Sequence, residues 1–279
     1  MAVIDCHHHV WWVAHRPHHF PPSWGTSLNR DFTPDDFRPE LRAAGIDGTI
    51  LVQSLDSYDE TLEYLDLADT TDFIRAVVGW LPLQDPAAAR AELVRLRIPK
   101  LNGVRCLVGK DPLDWLAKPD SVELFRDLAE AGLSWDVVPV TAAQTAAVTA
   151  LAHAVPELRI VVDHLGRPPI DSDGWEPWAG QLRQLSRCPG IALKVSLGID
   201  LLTALKAWPG NLDRYLHWAS ECFGADRLML ASNWPVVGLR AGYQEAWSHL
   251  RGSVERVLDD PNDLAAVLGG TAAHHYRIN

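Results

Sequence analysis

The chain has 279 residues, of which 47% are hydrophobic, so it is long enough to bury a sizeable core. Its 36 acidic and 25 basic residues give a net charge of −11, which disfavours nonspecific binding to nucleic acid or to an anionic membrane surface. Four widely spaced cysteines show neither a zinc-finger nor a disulfide pattern. Since free thiols suit a reducing compartment and no signal peptide or membrane span is visible, we expect a cytoplasmic protein.

Short apolar runs rich in β-branched residues alternate with longer amphipathic segments, which is the pattern of strand–helix repeats in a parallel sheet. The runs predict eight strands, over residues 3–6, 49–53, 74–80, 103–107, 135–139, 159–163, 192–196 and 228–231. Helix start signals lie between them; thus Thr33-Pro34-Asp35-Asp36 places a capping residue before a proline and two acids. Further helices are predicted over residues 121–131, 141–154, 212–223 and 263–276.

Eight strands alternating with about as many helices fit a single TIM-type (β/α)₈ barrel over residues 1–279. The competing fold is a doubly wound open sheet, which more often carries a glycine-rich phosphate loop after its first strand. The sequence contains no G-x-G-x-x-G or Walker motif, so we favour the barrel. Two long polar loops, about residues 10–33 and 166–180, follow strands at the expected active-site face.

Three histidines follow the first predicted strand, in Asp5-Cys6-His7-His8-His9. Because side chains alternate along a strand, His7 and His9 are expected to share one face, with His8 on the other. Two imidazoles in the mouth of a barrel can share a metal ion or hold a substrate oxygen. The alternative is a surface histidine cluster or part of an affinity tag, but only three histidines are consecutive and a strand precedes them.

Polar residues also follow two later strands. His164, in Asp163-His164-Leu165-Gly166-Arg167-Pro168, comes after the sixth strand and is the natural third ligand or acid–base group. Asn233, in Ser232-Asn233-Trp234-Pro235, follows the last strand, which neighbours the first in a barrel. Taken alone, each could be an ordinary loop or turn residue. Since the carboxyl ends of barrel strands meet at one mouth, we expect both to lie beside the histidine pair.

These motifs resemble the amidohydrolase superfamily, and most closely its amidohydrolase-2 branch of sugar-acid lactonases and pyrone-dicarboxylate hydrolases. The resemblance runs nearly end to end and extends to Gln53, Gly79-Trp80, Gly103-Val104-Arg105 and Lys194, at the second, third, fourth and seventh strands. It implies a barrel hydrolase whose small-molecule substrate is a lactone, or a similar cyclic ester or amide, opened by water.

One position departs from the pattern of the family, which has Ser-Asp-Trp-Pro where this chain has Asn233. The resemblance implies that the aspartate takes the proton of the attacking water and helps to hold a metal. An amide has no basic lone pair at neutral pH and cannot serve as that base. Two explanations compete: a change introduced to trap bound substrate, or a natural variant that lost or rerouted hydrolysis. We favour the first, because the surrounding motif is intact.

The resemblance implies that His7, His9 and His164 bind one divalent metal, expected to be zinc, with water or Asn233 completing the site. In that mechanism the metal polarises the carbonyl, and His164 and Asn233 occupy the catalytic positions. A metal-free mechanism is the alternative, in which the same histidines donate hydrogen bonds to the carbonyl.

Further residues are expected at the substrate. Arg105 offers a bidentate fork to a substrate carboxylate, with a salt bridge at the barrel rim as its alternative. Lys194 lies between apolar neighbours on a strand and is expected inside the barrel, in contact with substrate or paired with a core carboxylate such as Asp163. Gln53, Trp80 and Trp135 are expected pocket walls, with core packing as the alternative for the tryptophans.

Two other functions compete with lactone hydrolysis. Metal-dependent decarboxylases share the superfamily, and they would release carbon dioxide instead of opening a ring with net release of a proton. A non-catalytic binding protein would show affinity without turnover, and no gain when Asn233 is replaced by aspartate. Exposed tryptophans in the long loops would suit packing between copies of the chain, so a homo-oligomer is a further possibility.

Overall fold

The computed structural model describes residues 2–16, 18, 20, 26–96 and 99–278, so part of the first long loop lies outside the described residues. The described chain forms one eight-stranded sheet in which each strand pairs in parallel with the next. The strands are β1 Ile4–His8, β2 Gly48–Val52, β3 Ile74–Trp80, β4 Leu101–Arg105, β5 Ser134–Val137, β6 Arg159–Val162, β7 Ile191–Val195 and β8 Leu228–Leu230.

Backbone hydrogen bonds at one end bring the last strand back to the first. Asn233 N donates to His7 O at 2.9 Å, and His9 N donates to Trp234 O at 2.8 Å. These two bonds join the segment after β8 to the end of β1, so the sheet curls into the predicted TIM-type barrel. They also place the histidine motif of residues 5–9 beside the Asn233 motif of residues 232–235.

Helices alternate with the strands and begin largely where the sequence signals predict. Thr33 and Asp36 form a reciprocal capping box at the first helix, and Thr141 and Gln144 form another at the fifth. The helices are α1 Pro34–Ala44, α2 Tyr58–Thr70, α3 Pro86–Arg95, α4 Pro119–Glu130, α5 Ala142–Ala154, α6 Trp178–Ser186, α7 Ile199–Ala204, α8 Leu212–Phe223, α9 Tyr243–Val257, α10 Pro261–Ala265 and α11 Thr271–His275.

Several predicted boundaries are wrong, and the sheet explains the differences at the strands. β1 extends two residues beyond its predicted end, to His8. β4 ends two residues before its predicted end, at Arg105, which is the last residue paired with both neighbouring strands, through Trp80 of β3 and Asp136 of β5. The predicted helix over residues 263–276 is divided into α10, a wider turn over Ala266–Gly270, and α11. Gly269 has an extended φ of 177° with a ψ of −30°, and this φ lies outside the helical region and interrupts the helix there.

The core has two parts, separated by the sheet. Outward-facing strand residues pack against the surrounding helices, while small and branched residues such as Ile50, Val78 and Ala192 fill the barrel interior. Tyr276, just after α11, closes the interior cluster from the C-terminal segment. The packed interior supports the polar residues at the mouth from below. Among the described residues, no helix has both the length and the apolar character needed to cross a membrane.

Candidate active site at the mouth of the barrel

β1 carries its histidines to the mouth with the predicted alternation. The Nε2 atoms of His7 and His9 lie 3.2 Å apart, on the interior side of the barrel. His8 points outward, where its Nε2 lies 2.9 Å from Thr49 Oγ1 and its ring packs against Phe37. His9 Nδ1 lies 2.8 Å from the Val52 carbonyl, which can only accept. Nδ1 of His9 therefore carries the hydrogen, and its Nε2 keeps a lone pair for a ligand.

His164 reaches the mouth through a tight left-handed turn after β6. Residues 164–167 have φ angles of 56°, 53°, 63° and 59°, a region in which only Gly166 is free of strain. The turn places the ring of His164 4.6 Å from the ring of His7, centroid to centroid. Ser196 Oγ lies 2.8 Å from His164 Nδ1, and Trp178 Nε1 donates to Leu165 O at 2.7 Å.

Asn233 follows β8 with a φ of 61°, a conformation that asparagine and aspartate adopt more readily than most residues. Its Nδ2 donates to Leu197 O at 2.8 Å. Its Oδ1 is buried and has no hydrogen-bond partner in the part of the chain that the structure describes. Since an unsatisfied buried oxygen is destabilising by roughly 1–3 kcal/mol, this atom is suited to a bound ligand or water.

Four buried charged side chains lie directly beneath the histidines. Asp163 accepts a hydrogen bond from Arg105 Nη1 at 3.1 Å and lies 3.0 Å from Lys194 Nζ. Lys194 also donates to Asp136 at 2.6 Å, and Tyr276 donates to the same carboxylate at 2.5 Å. Two carboxylates thus face two cations with no net charge, as burial of ions requires. Burial raises the pKa of Asp163, but the opposing effects of Lys194, His7 and Arg105 bring that pKa well below its usual value.

Burial also fixes the protonation of the histidines. It lowers the pKa values of His7 and His9 well below 6.5, with further lowering by Lys194 at His7 and by Arg105 at His9. It lowers the pKa of His164 to about 4, against the opposing effect of Asp163. All three imidazoles are therefore neutral at pH 7, the form that binds a metal ion or accepts a proton.

The mouth opens into a cavity of about 640 Å³, within the range of small-molecule sites. Its wall contains four residues of the sequence-predicted site: His9, Arg105, His164 and Asn233. Most of the remaining wall is apolar and includes Trp11, Phe20, Leu55, Val138, Ile199 and Val236. The arrangement brings imidazoles, a guanidinium and an amide to one side of an otherwise largely apolar space.

Three residues expected at the substrate lie outside this lining: Gln53, Trp80 and Lys194. Lys194 takes the second of its two predicted roles, because it is fully buried and paired with Asp163 and Asp136. The Gln53 carbonyl accepts a hydrogen bond from Arg105 Nη2 at 2.6 Å, so this residue supports the guanidinium. Trp135 takes the alternative role of core packing, since its ring is fully buried against Phe125.

Sequence reasoning missed several residues that hold the site together. A carboxylate within a buried strand needs a cation, so Asp136 could have been found from its apolar neighbours. Tyr276 is 140 positions away from Asp136, and no local pattern announces that contact. Ser196 and Asp200, which contact His164 and Arg167, were not singled out either.

The donor set fits a divalent metal ion. Ligand atoms of His7, Asp163 and His164 lie within 4.8 Å of one another. The 3.2 Å between Nε2 of His7 and Nε2 of His9 is close to the roughly 3.3 Å expected of two imidazoles on a tetrahedral zinc. The open Oδ1 of Asn233 adds a further oxygen. Arg105 Nη1 lies 3.3 Å from His7 Nε2 and would compete with a metal for the same lone pair.

Comparison with known proteins agrees with this geometry. The family model described as Amidohydrolase matches residues 4–278. An L-fucono-1,5-lactonase of Burkholderia ambifaria is 34% identical over 282 residues, which cover 99% of this chain and 96% of the relative. Another L-fucono-1,5-lactonase, of Burkholderia multivorans, is 31% identical over 287 residues with the same coverage. A crystal structure of an amidohydrolase from Burkholderia multivorans with bound zinc has 30% identity and a TM-score of 0.89, over 100% of both chains.

Proposed function

The chain belongs to the amidohydrolase family, and from that premise we propose that it opens the lactone ring of a sugar acid by attack of water. The observation that carries the proposal is the convergence of His9, His164 and Asn233 on one cavity at the carboxyl ends of the strands. The two relatives named L-fucono-1,5-lactonase support a lactone as the substrate and a sugar acid as its class.

The neutral imidazoles and Arg105 surround the place where charge develops during attack on the lactone carbonyl. Arg105 Nε is buried and has no partner among the described residues, so it is a free donor beside the cavity. Positive charge and donors near a developing oxyanion stabilise the transition state, and more strongly in a site lined by apolar groups. His9 and His164 orient the carbonyl or the attacking water through their ring nitrogens.

A divalent metal, with zinc as the proposed ion, would be held by His7, His9 and His164 together with Asn233. When bound it supplies polarisation of the carbonyl and lowers the pKa of water. The metal-free alternative assigns the same polarisation to Arg105 and to a ring N–H of His164, because Nε2 of His9 carries no hydrogen to donate.

Asn233 occupies the position at which the family has an aspartate, and we propose that this chain is impaired in hydrolysis. Its Oδ1 can accept a hydrogen bond from the attacking water and so orient it. It cannot remove the proton, because an amide oxygen is not basic at neutral pH. The amide Nδ2 donates to Leu197 O at 2.8 Å, so the surrounding backbone accepts an asparagine at this position.

The test compares the parent with Asn233→Asp on a panel of sugar-acid 1,5-lactones, following proton release and quantifying bound metal. A general base contributes about 10²-fold or more, so the variant is expected to gain at least that factor in kcat. Asn262→Asp, an exposed position at the start of α10, adds the same charge elsewhere and serves as the control.

Equal inactivity of parent and variant on every lactone, with ligand binding retained, would overturn the proposal in favour of a binding protein. Release of carbon dioxide from an aromatic or enol acid would favour a decarboxylase instead. Turnover that persists in protein shown to be free of metal would assign the polarising role to Arg105 and His164.

A further inference from the structure

The segment that follows β7, residues 196–200, contacts both positions to which we assign chemistry. Ser196 is fully buried, and its Oγ lies 2.8 Å from His164 Nδ1. The next residue, Leu197, accepts the hydrogen bond from Asn233 Nδ2 at 2.8 Å. Gly198 lies beside the same ring, since a Cβ there would be in van der Waals contact with His164 Cδ2 at 3.4 Å. One short piece of backbone is thus packed against both catalytic side chains.

The same segment also holds the strained turn that carries His164. Three non-glycine residues of this turn have left-handed φ angles, each unfavourable by roughly 1–2 kcal/mol. Such a turn persists only where its surroundings fix it. Arg167, the last residue of the turn, donates through Nε to Asp200 at 2.5 Å and through Nη1 to Asp171 at 3.1 Å. The Arg167–Asp200 pair therefore ties the end of the turn to the loop after β7.

We propose that Ser196 and Asp200 are positioning residues for His164. Ser196 holds the ring through Nδ1, which leaves Nε2 to face the cavity. Asp200 acts one step further away, because it holds Arg167 and thereby the backbone from which His164 projects. Neither role requires contact with substrate, although Asp200 also lies in the cavity wall.

Removal of either contact is expected to displace His164 while the other residues of the site stay in place. A displacement of about 1 Å in a catalytic group lowers a rate by on the order of 10²-fold. In the Asn233→Asp background, Ser196→Ala is therefore expected to lower kcat between about tenfold and a hundredfold, with KM changed by less than about threefold. Ser196→Thr retains the hydroxyl and is expected to restore most of the rate. Ser253→Ala, at a buried serine of α9, controls for loss of a buried hydroxyl.

The Asp200 contact is tested by a double-mutant cycle with Arg167. If Asp200 acts through Arg167, then Asp200→Asn, Arg167→Gln and the double variant are expected to lower kcat to a similar extent, about tenfold. Arg90 and Asp127 form a comparable pair at 2.6 Å between α3 and α4, and their matched variants are expected to leave kcat unchanged.

A ¹⁵N NMR spectrum of the His164 ring provides a readout that a merely structural role of Ser196 would not change. In ¹⁵N-histidine-labelled protein, the parent and Ser196→Thr are expected to show one sharp pattern for the two ring nitrogens, and Ser196→Ala an averaged or shifted one. The rate measurements rest on the proposed function, but this spectrum needs no substrate. It therefore tests the positioning role of Ser196 even if lactone turnover fails.

Three results would overturn the proposal. The first is a Ser196→Ala variant with an unchanged rate and an unchanged His164 spectrum. The second is an Asp200→Asn variant whose loss lies entirely in KM, since that would place Asp200 on the substrate. The third is strict additivity of the Arg167 and Asp200 variants. Thermal melting of each variant distinguishes these results from a loss of folded protein.

Discussion

At position 233 the hydrogen-bond chemistry of the side chain, and not the backbone, distinguishes asparagine from aspartate. The left-handed φ of 61° suits both residues. The amide Nδ2 donates to Leu197 O at 2.8 Å. A carboxylate in the same orientation would bring one of its own oxygens to that distance from the Leu197 carbonyl oxygen, with no hydrogen between them. An aspartate there would have to turn away or bind its proton more tightly. The gain expected for Asn233→Asp therefore includes a local rearrangement around Leu197.

Asp5, next to the histidine motif, is expected to make folding stability depend on pH. Burial raises its pKa from 3.8 to about 6, against the opposing hydrogen bonds from Ser232, His7 and Tyr243. Because the folded-state pKa exceeds the unfolded one, the associated stabilisation is complete below about pH 4 and is lost as the pH rises through about 6. From pH 4 to pH 8, the free energy of unfolding of Asp5→Asn is expected to rise by about 2 kcal/mol relative to the parent.

Urea unfolding of the parent and of Asp5→Asn at several pH values measures this difference directly. The amide keeps the shape of the carboxylate and can accept from Ser232 N, which donates to Asp5 at 2.8 Å. Asp259→Asn, at an exposed position, controls for removal of one negative charge. A difference between Asp5→Asn and the parent that stays constant with pH would contradict the assignment.

At the scale of elements, local signals determine helix starts, whereas contacts distant in sequence determine the C-terminal segment. The capping boxes of α1 and α5 need only four neighbouring residues, and both helices begin within one residue of the start that the sequence predicts. The segment Ala266–Gly270 instead departs from its predicted helix where Gly269 packs against the start of the chain. A Cβ at Gly269 would lie 2.0 Å from the Ala2 carbonyl oxygen.

Gly269→Ala is therefore expected to destabilise the fold. The clash involves backbone atoms, which cannot rotate away, so a loss of about 1–3 kcal/mol in the free energy of unfolding is expected, as for other overpacked sites. Chemical denaturation measures the loss. Gly210→Ala is the control, because a Cβ there meets no atom within 4 Å. Equal stability of the two variants would show that the turn at Gly269 can shift away from Ala2.

At the scale of the whole molecule, the chain is strongly acidic, whereas the charges of its buried site are equal in number and opposite in sign. Against the net charge of −11, Asp136 and Asp163 are matched by Arg105 and Lys194 at the centre of the barrel. Arg105 already donates through Nη1 to Asp163 and through Nη2 to Gln53 O, so its positive charge is matched by a buried carboxylate. A substrate carboxylate, which the sequence predicts to bind Arg105, would therefore have to share a guanidinium that is already paired with Asp163.

We accordingly predict a preference for uncharged lactones. In the Asn233→Asp variant, kcat/KM for a lactone that carries a carboxylate is expected to be about tenfold or more below that of its uncharged counterpart, because burial of an unpaired charge is unfavourable. Paired kinetics on an aldonolactone and the corresponding carboxylated lactone measure the ratio. A preference for the carboxylated lactone that disappears in Lys110→Ala would instead assign anion binding to Lys110, an exposed residue of the cavity wall.

The sequence by itself determined the features that depend on neighbouring residues. The alternation of strands and helices, the caps, the shared face of His7 and His9, and the motifs around His164 and Asn233 are all local patterns. Only the tertiary structure decided which charges meet, because the closure of the barrel sets those partners. Lys194 lies 58 positions from Asp136, and Arg105 lies 58 positions from Asp163. The alternation of residues along a strand indicates which face of the sheet a side chain lies on. The charged residue that it pairs with across the barrel depends on the order and register of the strands.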